Sequence, residues 1–138
     1  MPIPTRELTD DDRELIAFAK QIVDDNTDGE DGIHTMGAAV RAADGRIFGG
    51  INLYHFTGGP CAELVALGHA RASGARELIT IVAVGNYDRG LFDPCGKDRQ
   101  ILFDYHPQIR VLLPTPEGDR SVAITDLMPL GRRWSPQA

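Results

Sequence analysis

Apolar positions along the chain recur with two different periods, and the change between them predicts most of the elements. Leu15, Ile16, Phe18, Ala19, Ile22 and Val23 fall on one face of a helix. Thr9 suits its N-cap, and Asp10, Asp11 and Asp12 favour the dipole in its first turn. The acidic stretch DDNTDGEDG is the predicted stop. MGAAVRAA and RIFGGINLY read as strands joined through the hairpin turn Asp44-Gly45. PCAELVALGHARA reads as a second helix, with Pro60 at its first position and Gly74 at its end. LITIVAV is an unbroken β-branched run, the pattern of a strand buried on both faces. CGKDRQILFDY is a third predicted helix, IRVLLP a fourth strand and SVAITDL a weaker fifth. Strands interleaved with helices imply a layered α/β domain. No repeat or linker divides the chain, so residues 1–138 are expected to form one domain.

Composition narrows the function classes. The chain is 42% hydrophobic and 25% charged, an ordinary globular balance. A net charge of -6 without a basic patch disfavours nucleic acid as a partner, including DNA or RNA editing. The start MPIPTRELTDDD lacks an apolar signal core, and no apolar run approaches the ~20 residues of a membrane span. A cytoplasmic protein without a membrane partner is expected. In such a reducing compartment Cys61 and Cys95 point to a thiolate metal site rather than a disulfide.

Three segments carry candidate chemistry. Asp24, Asn26, Asp28 and Gly29 open like a calcium loop, but position twelve of that frame is Thr35 instead of a bidentate Glu. Solvated turn residues explain the acidic stretch better. In INLYHFTGG, glycines permit a tight backbone at a pocket mouth, where Asn52, Tyr54 and His55 can face a ligand. His34, His69 and His106 fit surface or helix positions better than ligand roles.

The strongest signal is the pair of helix starts. Cys61 and Cys95 each follow a proline at a predicted helix N-terminus, where free N–H groups and the dipole stabilise a thiolate. Cys95 and Asp98 are three apart and share a helix face. A zinc between the two helix starts would take Cys61, Cys95 and Asp98 as ligands and keep its fourth position open to water, the layout of catalytic zinc. Glu63 would stand beside that position. Taken singly, each cysteine reads as a small core residue and Asp98 as a first-turn acid; taken together they favour metal.

C-A-E followed by P-C-G-x-x-R-Q resembles the zinc-dependent cytidine deaminase superfamily. GRIFGGINLYHFTGGPCAELVALGHA and IVAVGNYDRGLFDPCGKDRQILFDYHPQIR are similar to its blasticidin S type, and the likeness runs more loosely to Trp134. The resemblance implies a three-layer α/β/α fold with a five-stranded mixed sheet and a homotetramer with sites near subunit boundaries. It assigns Cys61 and Cys95 to zinc, Glu63 to proton transfer and Asn52 to the sugar. Tyr54 stands where ordinary cytidine deaminases carry a Glu that grips the ribose, and Thr35 and Trp134 complete the expected substrate contacts. Asp98 replaces the family's third Cys, and no role is assigned to Lys97. The implied activity is hydrolytic deamination of a 4-aminopyrimidine nucleoside or analogue, such as cytidine or blasticidin S. The rival expectation is an inactive, zinc-free nucleoside binder, motivated by the missing third thiolate.

Overall fold

Thr9 starts the first helix as expected. Its hydroxyl accepts from the Asp12 backbone N–H and the Asp12 carboxylate accepts from the Thr9 N–H, a reciprocal capping box. In the computed structural model, which describes residues 2–137, this helix, α1, spans Asp10–Asn26. The strands β1 (Met36–Ala42) and β2 (Ile47–Ile51) form the hairpin expected around Asp44-Gly45. Helix α2 (Ala62–Ala72) leads to β3 (Leu78–Gly85) and the short β4 (Gly90–Leu91). Helix α3 (Gly96–Tyr105), β5 (Arg110–Thr115) and β6 (Gly118–Ala123) complete the order.

The sheet is mixed and runs β2-β1-β3-β5-β6, with β4 paired to β3 off this path. It has six strands where five were expected. The addition is β4, a two-residue pairing of Gly90 and Leu91 with the end of β3, too short to carry an alternating pattern. SVAITDL is also redrawn: the last strand closes at Ala123, and Ile124–Leu127 turns into a 3-10 helix. Pro60 lies outside α2, because Cys61 holds the N-cap position.

Alternate residues of the central strands bury in opposite directions. Ala38, Val40, Ile81, Ala83 and Val111 pack with α2 and α3, whereas Ala39, Val82, Val84 and Leu112 pack with Leu15, Ala19 and Val23 of α1. The result is three layers, with β3 covered on both faces. No helix among the described residues is long and apolar enough to cross a membrane.

Topology brings the helix starts together. β1 is antiparallel to both β2 and β3, so β2 and β3 run the same way. Each is followed by a helix that packs on one common face of the sheet. The N-termini of α2 and α3 therefore emerge at the same end of the sheet, beyond the carboxyl ends of β2 and β3, where open α/β sheets place their ligands.

Candidate metal centre

Cys61 and Cys95 occupy equivalent positions, the N-caps of α2 and α3, each with extended backbone and no side-chain capping bond. Their thiols are therefore free to face each other. The two Sγ atoms are 4.0 Å apart, well beyond the ~2.0 Å of a disulfide. Two Zn–S bonds of ~2.3 Å at a tetrahedral angle put sulfurs ~3.8 Å apart, so the observed spacing fits a shared ion. Asp98, in the first turn of α3, brings a carboxylate oxygen into the same group, with all three donor atoms within 4.8 Å of one another.

Asp98 is only 1% exposed, and its Oδ1 has no hydrogen-bond partner. An ionisable oxygen buried without a partner costs ~1–3 kcal/mol or more, and a cation in front of it removes that cost. Glu63, in the first turn of α2, is 7% exposed. Burial and the nearby Asp98 carboxylate push its carboxyl up to about 8. Burial, followed by Asp98, Cys95 and Glu63, pushes the Cys61 thiol up to about 12. Four acidic groups thus compete for one place, and a divalent cation is the charge they lack. The donor set, two sulfurs and one oxygen, is one that zinc accepts.

Beside the cluster opens a cavity of about 240 Å³, lined by Met36, Asn52, Tyr54, Glu63, Phe92 and Asp93 together with the three donors. Of the residues singled out from sequence, Asn52 and Tyr54 meet Glu63 and the donors here. Asn52 is held tightly: its Oδ1 accepts from the Met36 N–H at 3.0 Å and its Nδ2 donates to the Ile33 carbonyl at 2.8 Å. The Asn52 carbonyl also accepts from His34 Nδ1 at 2.8 Å, which fixes that imidazole with its proton on Nδ1. Tyr54 is 70% exposed at the rim.

Thr35 and Trp134 do not line the cavity. The Thr35 carbonyl accepts from the Asn86 N–H and the Arg89 guanidinium, both at 2.9 Å. The Trp134 backbone N–H donates to Asp104 Oδ1 at 2.7 Å, which docks the C-terminal segment near the end of α3 remote from Asp98. Sequence reasoning passed over Met36, Phe92 and Asp93. Only Asp93 carried a signal, as the residue before Pro94: Arg99 donates to the Asp93 carboxylate at 2.9 Å and to the Pro94 carbonyl at 2.8 Å, fixing the approach to Cys95. A larger groove of about 670 Å³ runs between α2 and α3 past Leu67, Arg71, Ile101 and Tyr105, but no thiol or carboxylate lines it.

Three layers with a cluster of two thiols and a carboxylate at two helix starts define an α/β protein with a candidate metal centre. Known proteins make the class specific. The chain is 34% identical over 110 residues to blasticidin-S deaminase from Bacillus cereus, covering 73% of this chain and 79% of that one. It is 32% identical over 98 residues to cytidine deaminase from Halalkalibacterium halodurans, covering 68% and 74%. A crystal structure of cytidine deaminase from Burkholderia pseudomallei superposes with a TM-score of 0.73 at 30% identity, over 91% of this chain and all of that one. No family model matches the chain. The chain belongs to the cytidine deaminase superfamily and is a deaminase, an enzyme that exchanges an amino group for oxygen.

Proposed function

We propose that the chain is a zinc-dependent aminohydrolase that converts a 4-aminopyrimidine nucleoside or analogue, such as cytidine or blasticidin S, to its uracil form with release of ammonia. The observation that carries this reading is the convergence of Cys61, Cys95 and the buried Asp98 carboxylate, whose Oδ1 has no partner, beside Glu63. Cys61, Cys95 and Asp98 would hold the zinc. Zinc held there supplies a Lewis acid that makes hydroxide available near neutral pH.

The remaining work falls to the chain's own residues. Glu63 takes one proton from the attacking water to the ring nitrogen; it then takes the second, from the hydroxyl left on C4, to the departing amine, so that the C=O bond forms as the C–N bond breaks and ammonia leaves. Its buried setting suits that task, because burial keeps proton affinity near neutrality. Asn52, with one amide N–H and one lone pair still unused, contacts the sugar from a fixed position. Tyr54 lies at the rim beside the sugar, where a neutral phenol favours analogues over plain ribose. Thr35 and Trp134 lie outside the cavity and are left out of the substrate contacts.

The partner is a small nucleoside-like molecule, with no nucleic acid and no membrane. The working form is a homotetramer of single-domain chains, residues 1–138, in the cytoplasm. Free thiols at Cys61 and Cys95 support the compartment. Exposed Leu53, Phe56 and Trp134 support association.

An ultraviolet deamination assay with cytidine, deoxycytidine and blasticidin S, run alongside zinc analysis, tests the reading. Wild type should carry about one zinc per chain. Glu63→Gln should keep the metal and lose turnover by ~10²–10⁴-fold. Near-normal activity in that variant overturns the assignment of Glu63. Protein that lacks metal after growth with added zinc, yet binds the nucleosides, is the inactive binder that the missing third thiolate motivates.

A further inference from the structure

Arg89 touches none of the metal donors, yet its side chain joins three segments that surround the cavity. Its Nε donates to Asn86 Oδ1 at 2.9 Å, and one terminal nitrogen donates to the Thr35 carbonyl at 2.9 Å. The same nitrogen lies 3.8 Å from the sulfur of Met36. The guanidinium carbon sits 5.1 Å from the centroid of the Phe92 ring, a cation–π stack. Met36 and Phe92 are among the apolar side chains that line the cavity with Glu63.

The backbone shows that this placement is enforced. Arg89 closes the turn after β3, in which Tyr87 (φ 52) and Asp88 (φ 58) both adopt the left-handed conformation without being glycine. This is the pattern of a type I′ hairpin turn between β3 and β4, closed by the Arg89 N–H donating to the Asn86 carbonyl at 3.3 Å, and contacts outside the turn anchor it. Two of them are visible: the Tyr87 N–H donates to Asp24 of α1 at 2.9 Å, and the buried Asn86 amide donates to Thr27 at 3.0 Å. Gly85 supplies the space into which both Arg89 and Phe92 pack. A Cβ there would lie 2.9 Å from the Arg89 guanidinium carbon and 2.9 Å from the Phe92 ring.

We propose that Arg89 is a positioning residue for substrate recognition: it fixes Met36 and Phe92 as the apolar wall against which the flat substrate ring packs. The proposal deepens the deaminase reading and rests on it for the identity of the ring. A planar heterocycle gains from a rigid apolar face and loses when that face must be ordered during binding. Arg89 holds the wall in advance, so its loss falls on binding and spares the chemical step.

The test compares wild type with Arg89→Met, which keeps the length without the donors, and Arg89→Lys, which keeps the charge without the planar fork. KM for the nucleoside should rise about tenfold in Arg89→Met and less in Arg89→Lys, with kcat within about twofold and zinc content unchanged. The methyl resonance of Met36, followed in methyl-labelled protein, should shift in both variants and broaden in Arg89→Met. A parallel fall in kcat and zinc, or an unmoved KM, overturns the positioning role. If wild-type protein deaminates no nucleoside, the functional reading fails by itself. The Met36 resonance then decides the proposal: an unmoved signal rejects the wall, and a shifted one supports it.

Discussion

The sulfur atoms of Cys61 and Cys95, separated by 34 residues in sequence, face each other at 4.0 Å across the mouths of two helices. Neither thiol caps its helix, and the unpaired Asp98 oxygen completes the group. If this group is a zinc site, each donor carries a definable share of the binding energy. Structural zinc is held by ~10–16 kcal/mol across four donors, so one donor accounts for ~2.5–4 kcal/mol, or about 100-fold or more in affinity. Asp98→Ala should therefore lose zinc in competition with a chelator of matched affinity, while Asp98→Cys keeps it. Equal zinc retention in wild type and Asp98→Ala would remove Asp98 from the ligand set.

The acidity of the cluster predicts how stability responds to pH. In the metal-free protein Glu63 holds its proton up to about 8, whereas an ordinary glutamate carboxyl releases it near 4.5. The folded state binds the extra proton between those values, so this group's contribution is complete below about 4.5 and is lost as pH rises through about 8. Zinc acts in the opposite direction. Cys61 must surrender a proton it would otherwise keep to about 12, so zinc affinity should climb about tenfold per pH unit from this group alone. Chemical unfolding of chelator-treated protein should thus show a lower midpoint at alkaline than at mildly acidic pH, and Glu63→Gln should flatten the difference. The gap between zinc-loaded and metal-free protein should widen with pH; a gap that narrows would contradict the assigned charges.

The sequence carried the local part of this arrangement and missed the part made through space. Thr9, the Asp44-Gly45 hairpin and the two-faced run of β3 depend on neighbours in the chain, and periodicity exposes such dependence. The Pro-Cys steps marked both helix starts for the same reason. Gly90 and Leu91 form a strand only because β3 lies alongside, and two residues hold no period. Ile124 has strand-like composition, but the chain turns there under the pull of the core, where the residue is fully buried. Asp98 was legible as a first-turn acid, whereas its burial and lack of a partner were not. Asn52 could be named as a contact, but its clamp on Ile33 and Met36 spans 16–19 positions and leaves no trace in spacing.

The capping box gives a prediction confined to stability. Thr9 and Asp12 exchange bonds of 3.1 and 3.0 Å on the exposed start of α1, on the sheet face opposite α2 and α3. Thr9→Ala should cost ~1 kcal/mol, read as a lower denaturant midpoint with an unchanged slope. Zinc content and KM should stay at wild-type values. A coupled loss of zinc would mean that α1 helps to set the helix mouths, contrary to the layer arrangement.

Gly50 links the sheet to the site more directly. A Cβ there would stand 2.5 Å from the Ala66 nitrogen and 2.9 Å from both the Ala62 oxygen and the Val65 carbonyl carbon. All three are backbone atoms of α2, so no rotamer change relieves the clash, and α2 must lift away from β2. Overpacking of this kind costs ~1–3 kcal/mol, with the upper end expected where backbone meets backbone. Cys61 and Glu63 ride on the lifted end of the helix, so Gly50→Ala should lose zinc and turnover together as well as stability. At Gly68, in the same helix, a Cβ would meet nothing within 4 Å. Gly68→Ala should accordingly stabilise by up to ~1 kcal/mol through helix propensity and keep its metal. Unfolding curves and zinc analysis of the two variants side by side check the contrast, and normal zinc in Gly50→Ala would show that the seat of α2 on β2 is not what brings Cys61 to Cys95.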